Sequence, residues 1–127
     1  MLGPHKNLKV WQKGIEFTTL LYGCTSHYPQ SELFGLVSQM RRAAVSITSN
    51  IAEGYGRSSV TDLIHFLHIS LGSSNELDTQ LQISYNLGFL SLSEFNELDK
   101  MNDEINKMLR SLIFSKTNPS GEALKTL

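Results

Sequence analysis

Ser31 to Arg57 reads SELFGLVSQMRRAAVSITSNIAEGYGR, and the spacing of its apolar residues decides the fold. Leu33, Leu36, Val37, Met40, Ala43, Ala44, Ile47 and Ile51 recur at steps of three and four, which lines one face of an α-helix. Arg42, Ser46, Asn50 and Glu53 follow at the same steps on the opposite face. A solvated face is usually rich in Lys and Glu. This one mixes a hydroxyl, an amide, a carboxylate and a guanidinium, groups able to hydrogen-bond to one another. The stretch is expected to form one continuous amphipathic helix over 31–54, with Gly54 as a left-handed C-terminal cap.

Three further helices lie on either side. Leu8 to about His27 carries a stripe of Leu8, Trp11, Ile15, Thr18 and Tyr22, widened by Val10, Phe17, Leu20 and Leu21. So broad an apolar perimeter suits either self-association or a broad core within the chain. Tyr28-Pro29-Gln30 is a turn, because proline disfavours helix in the residue before it. Residues 60–87 present Leu63, Phe66, Leu67, Ser70, Leu71, Ser74, Leu77, Leu81 and Tyr85 on one side. The small residues Gly72, Ser73 and Ser74 are expected to admit a bulky side chain from another helix. Ser59 with Asp62, and Ser91 with Glu94, read as capping boxes at two helix starts. Gly88 followed by Phe89 reads as a glycine cap with an apolar contact to Ile83 or Ser84. Phe95, Leu98, Met101, Ile105, Met108, Leu109 and Leu112 carry a last helix over 92–114, and Asn118-Pro119-Ser120-Gly121 stops it. The tail 115–127 is expected to be mobile. Short connections between four helices predict an all-α, antiparallel up-down-up-down four-helix bundle.

The chain has 127 residues, enough for one domain with a sizeable core. Its single cysteine, Cys24, excludes an intramolecular disulfide framework and suits a reducing, cytoplasmic setting. No apolar run is long enough to cross a bilayer, so no membrane partner is expected. Residues 1–7 lack the apolar core of a secretory signal. The net charge of −1 gives no global sign of nucleic-acid binding, but the charges are unevenly placed. Residues 1–57 carry six Lys or Arg against three acids, and residues 58–99 carry six acids with no Lys or Arg. Residues 100–127 carry five Lys or Arg against three acids. Such a division suits a basic side and an acidic side, or pairing across helices.

Gln39-Met40-Arg41-Arg42-Ala43-Ala44-Val45-Ser46-Ile47, followed by Ser49-Asn50-Ile51-Ala52-Glu53-Gly54-Tyr55-Gly56-Arg57, resembles the hallmark of the four-helix-bundle proteins encoded in 23S rRNA intervening sequences. The accessory variability proteins of diversity-generating retroelements share that fold. The resemblance begins at Leu8-Lys9-Val10-Trp11-Gln12-Lys13. It continues through Phe66-Leu67-His68-Ile69-Ser70-Leu71-Gly72-Ser73 and Glu76-Leu77-Asp78-Thr79-Gln80-Leu81. It implies a bacterial protein that assembles into a ring-shaped homopentamer. Thr48 departs from the pattern, standing where relatives usually carry proline. Its hydroxyl is expected either to leave the helix straighter or to bond back to an earlier carbonyl.

Candidate chemistry is sparse. Di-iron bundles need Glu-x-x-His on two helices, and Asp62-x-x-His65-x-x-His68 supplies only a loose likeness. Cys24 with His27 lacks a third member to orient the base. Gly54-Tyr55-Gly56-Arg57 follows a helix and lacks the lysine of a phosphate loop. No catalytic residue, metal or cofactor is therefore expected. The line Arg42, Ser46, Asn50 and Glu53 reads as a structural polar network, with Glu53 pairing to Arg42 or Arg57; the functional alternative makes Arg41, Arg42 and Arg57 phosphate ligands. Lys9, Lys13, Arg41 and Arg57 are the candidates for exposed basic contact with nucleic acid or a partner. Two functions fit: an RNA-binding adaptor, as the resemblance implies, and a protein-interaction scaffold with no nucleic-acid role.

Overall fold

The computed structural model describes residues 3–119. Among them four long helices account for most of the chain, with no strand. They are α1 (Lys9–Thr25), α2 (Ser38–Tyr55), α3 (Val60–Asn86) and α4 (Leu92–Thr117). A short 3-10 turn, Pro4–Asn7, precedes α1. Of the tail expected to be mobile, residues 115–117 instead continue α4, and residues 120–127 lie outside the described residues.

The second helix is shorter than its apolar spacing suggests. Gln30–Glu32 forms a 3-10 turn and Leu33–Val37 a wide π-type turn, with Gly35 at φ −106° and ψ −108° breaking the helical path. The Glu32 carboxylate accepts the Leu36 N–H at 3.3 Å and holds the break in place. Side chains before Gly35 consequently leave the register of those after it. Leu33 is exposed and Phe34 is 92% exposed, whereas Met40, Ala44, Ile47 and Ile51 are fully buried. One rod over 31–54 is thus corrected to a kinked lead-in followed by a regular helix.

Gly54 is not the left-handed cap. It sits inside α2, where a Cβ would lie 3.0 Å from Phe66 Cβ and 3.1 Å from Leu63 Cδ1. Its lack of a side chain permits α2 and α3 to approach. Thr48 donates to the Val45 carbonyl at 3.1 Å, and α2 stays regular through Tyr55.

The wide face of α1 resolves into two strips. Val10, Gly14, Phe17, Leu21, Cys24 and Thr25 are buried against the bundle. The stripe of Leu8, Trp11, Ile15, Thr18 and Tyr22 runs along its edge, where Ile15 and Tyr22 are exposed.

At the start of α3, Ser59 Oγ accepts the Asp62 N–H, but the returning half of the capping box is absent. Ser91 and Glu94 complete theirs at α4, each accepting the other's backbone N–H. Gly88 has φ +80°, and the N–H groups of Gly88 and Phe89 donate to the carbonyls of Tyr85 and Ser84. That pattern satisfies two carbonyls at the end of α3. The Phe89 ring lies 5.3 Å from that of Tyr28, which fastens the α3–α4 turn to the α1–α2 turn.

The helices pair through specific contacts. Thr18 Oγ1 donates to Ala44 O, Ser70 Oγ to Ile47 O, and Ser74 Oγ to Asn102 Oδ1, while Lys13 and Glu104 pair at 2.7 Å. Toward one end, Leu8 and Lys9 at the start of α1 line a groove with Ser111 and Ser115 of α4, Lys116 of α4 lies 5.9 Å from the Tyr55 ring of α2, and Gly54 of α2 meets Leu63 and Phe66 of α3. The starts of α1 and α3 therefore lie with the ends of α2 and α4. Ser70, Ser74 and Ser84 are fully buried, and each has a hydrogen-bond partner. Beside Ser74 the small-residue segment meets the Asn102 amide, which also donates to the Ser74 carbonyl, in place of the expected bulky side chain. Gly72 faces open space.

Candidate functional site

The polar line of α2 divides. Asn50 donates to both the carbonyl and the hydroxyl of Ser46, and Ser73 on α3 donates to the same hydroxyl at 2.8 Å. Ser46, Asn50 and Ser73 thus join α2 to α3. Arg42 and Glu53 are exposed, and neither joins that set. Glu53 pairs with Arg57, one turn on, at 3.8 Å. Two solvated side chains at this distance contribute little to stability.

The basic candidates are also engaged to different degrees. Arg41 is half-buried: its Nε donates to Thr25 Oγ1 at 3.0 Å, and a terminal nitrogen donates to the Tyr22 carbonyl at 3.2 Å. Its guanidinium lies 4.4 Å from the centre of the Tyr22 ring. The side chain thereby serves the last carbonyls of α1, where a cation is favourable. Its guanidinium is thus partly occupied within the chain. Lys13 is held by Glu104, whose hydrogen bond raises the lysine pKa and lowers that of the carboxylate. Arg57 lies over the Phe66 ring at 4.8 Å. Lys9 is exposed and has no ion pair among the described residues.

The helix pairing sorts charge by end, which the division by sequence block did not anticipate. At the end formed by the starts of α1 and α3 lie Lys6, Lys9, Arg57, Lys107, Arg110 and Lys116, opposed by Glu53, Asp62 and the Asp103 that pairs with Lys107. The other half holds Glu32, Glu76, Asp78, Glu94, Glu97 and Asp99 against Arg41, Arg42 and Lys100. Within α4 alone, Glu94 to Glu104 holds five acids and Ile105 to Thr117 holds none. That gradient is visible in the sequence, and it was the available signal for Lys107 and Arg110. A groove of about 680 Å³ opens between α3 and α4 at the basic end, with Lys107 and Arg110 on its border.

Chemistry elsewhere is unassembled. Cys24 is buried, and that burial, reinforced by the Glu94 carboxylate, pushes its thiol up to about 11. The nucleophilic thiolate is thereby suppressed. Among the described residues no group of His, Cys, Asp and Glu is placed to hold a metal ion, and no helix is long and apolar enough to cross a membrane.

Fold and surface together define a class: an all-helical bundle with a polarised charge distribution. Residues 6–111 match the model of the 23S rRNA-intervening sequence protein family, and the chain belongs to that family. A solved structure from Bacteroides thetaiotaomicron, described as a protein of unknown function from the S23 ribosomal protein family, is 27% identical with a TM-score of 0.74. The match covers 82% of this chain and 97% of that one. A comparison with curated proteins gives no match.

Proposed function

We propose that this protein is a non-enzymatic RNA-binding adaptor, an up-down-up-down four-helix bundle that works as a ring of identical copies in the cytoplasm. The observation that carries the binding role is the cationic end. Lys6, Lys9 and Arg110 lie there without an ion pair among the described residues, and Lys107 and Arg57 keep only solvated ones. Phosphates are held by such groups through release of condensed counterions, so a local cluster matters more than net charge. Repetition of the end around a ring would add avidity without any new contact. The family's description, 23S rRNA-intervening sequence protein, names an RNA, and that supports RNA as the ligand class.

Self-assembly is supported by an uncovered apolar strip. Tyr22, Leu33, Phe34 and Val45 are exposed along one depression that Arg41 and Arg42 also line, and Ile15 extends it two turns along α1. An exposed strip of this kind commonly marks an interface. The number five rests on the family resemblance. The same strip also favours the second reading, a scaffold that binds only protein.

RNA binding measured against salt tests the proposal. Binding is expected at low ionic strength, with a negative slope of log K on log salt of about 0.7 for each phosphate neutralised on a single strand. Replacing both Lys9 and Arg110 by Gln should reduce that slope by about 1 to 2. Arg42→Gln, at the acidic end, should leave it unchanged. Absence of binding at low salt would remove the adaptor reading.

A further inference from the structure

The groove between α3 and α4 joins an apolar surface to a cationic one. Its floor is hydrocarbon and aromatic: Leu71, Ile113 and the half-buried ring of Phe114. Its border is polar and cationic: His68 on α3, Lys107 and Arg110 on α4. The volume of about 680 Å³ lies in the range of clefts that take small organic ligands. Arg110 has no ion pair among the described residues. Lys107 pairs with Asp103 at 3.1 Å, but both side chains are largely exposed, so the pair is easily exchanged for another anion.

We propose that this groove receives an unpaired base of a single RNA strand while Lys107 and Arg110 hold the flanking phosphates. The inference rests on the nucleic-acid reading and narrows it to unpaired strands. A nucleobase has apolar faces and polar edges, and it is tethered to an anion. The groove matches both properties at once. An aromatic floor accepts the face of any base, and the neighbouring cations accept the backbone. A duplex cannot meet the floor, because its bases are stacked and paired and its outer surface is phosphate and sugar. A second groove, of about 520 Å³, lies on the other side of α4 and includes Leu8, Lys9 and Met108. The two share Lys107 and Ser111, so a strand crossing α4 would pass from the Arg110 side to Lys9 on one continuous cationic track.

Fluorescence anisotropy on the full chain decides it. The probes are a labelled mixed-sequence RNA strand and the blunt duplex made from the same strand. The single strand should bind about tenfold or more tightly than the duplex at equal salt. Phe114→Leu keeps an apolar helix-former but loses the π face, and it should weaken the single strand about fivefold while leaving the duplex unchanged. Arg110→Gln, at an exposed position, should reduce the salt slope for the single strand by about 0.7. Equal affinity for both forms, with Phe114→Leu indifferent, would overturn the groove while leaving RNA binding standing. No binding of either form would overturn both. Capture of an acidic amphipathic peptide that is sensitive to Phe114→Leu, with neither RNA form bound, would assign the groove to protein and overturn the proposal.

Discussion

Gly14 shows how one missing side chain sets a helix distance. A Cβ there would lie 2.6 Å from Thr48 Cγ2, and Thr48 is buried and stiff at its β-carbon. Gly14→Ala is therefore expected to destabilise the fold by about 1–2 kcal/mol, despite the better helix propensity of alanine. In a Thr48→Ser background, which removes the opposing methyl, the same change should be neutral or stabilising. Urea denaturation of the four variants measures this coupling. Cys24 provides the second residue-scale expectation. Its pKa rises from 9.0 unfolded to about 11 folded, and burial likewise moves Tyr28 from 10.0 to about 12. A raised folded pKa favours folding below the unfolded value, and that contribution is lost as pH rises toward the folded one. Stability should thus decline from pH 9 to 11, and Cys24→Ala should flatten that part of the curve. A thiol reagent that labels the native protein as fast as the unfolded one near pH 8 would contradict the burial.

Helix ends, rather than helix middles, show where local sequence rules hold. Ser91 and Glu94 form both halves of their box, whereas Ser59 and Asp62 form one. Asp is one methylene shorter than Glu, which makes the return to the cap N–H harder. Gly88 takes the left-handed conformation expected of it, and a Cβ there would meet nothing within 4 Å. Gly88→Ala should therefore cost about 1–2 kcal/mol through backbone conformation alone. Gly88→Asn should cost less, because Asn tolerates that region. Thermal unfolding of the two variants checks the order. Gly54 shows the opposite outcome. Local rules place a cap there, yet tertiary contact with Leu63 and Phe66 uses the same residue to bring α2 and α3 together.

For the molecule as a whole, the consequence of the Gly35 break is an apolar surface. Phe34 contributes almost nothing to the core of one chain, since it is 92% exposed. Phe34→Glu should leave chain stability within about 0.5 kcal/mol. On the assembly reading it should also convert a larger particle into monomer, as read by light scattering. A wild-type protein that is monomeric at micromolar concentration would remove the ring and, with it, the avidity argument. The charge polarity survives either result, because it arises from helix pairing within one chain.

Periodicity alone determined that this chain is helical, where its helices lie to within a few residues apart from the start of α2, and that Met40, Ala44, Ile47, Leu67, Leu81 and Leu109 face inward. Steps of three and four report a local geometry, so local spacing suffices to read them. The candidate site was less legible. Lys9, Lys13, Arg41 and Arg57 look alike in sequence, but Lys13 and Arg41 are taken up by Glu104 and by the end of α1, contacts made by residues far away in the chain. Folding alone decided which cations share an end, because pairing each helix's start with its neighbour's finish unites Lys6 and Lys9 with Lys107, Arg110 and Lys116.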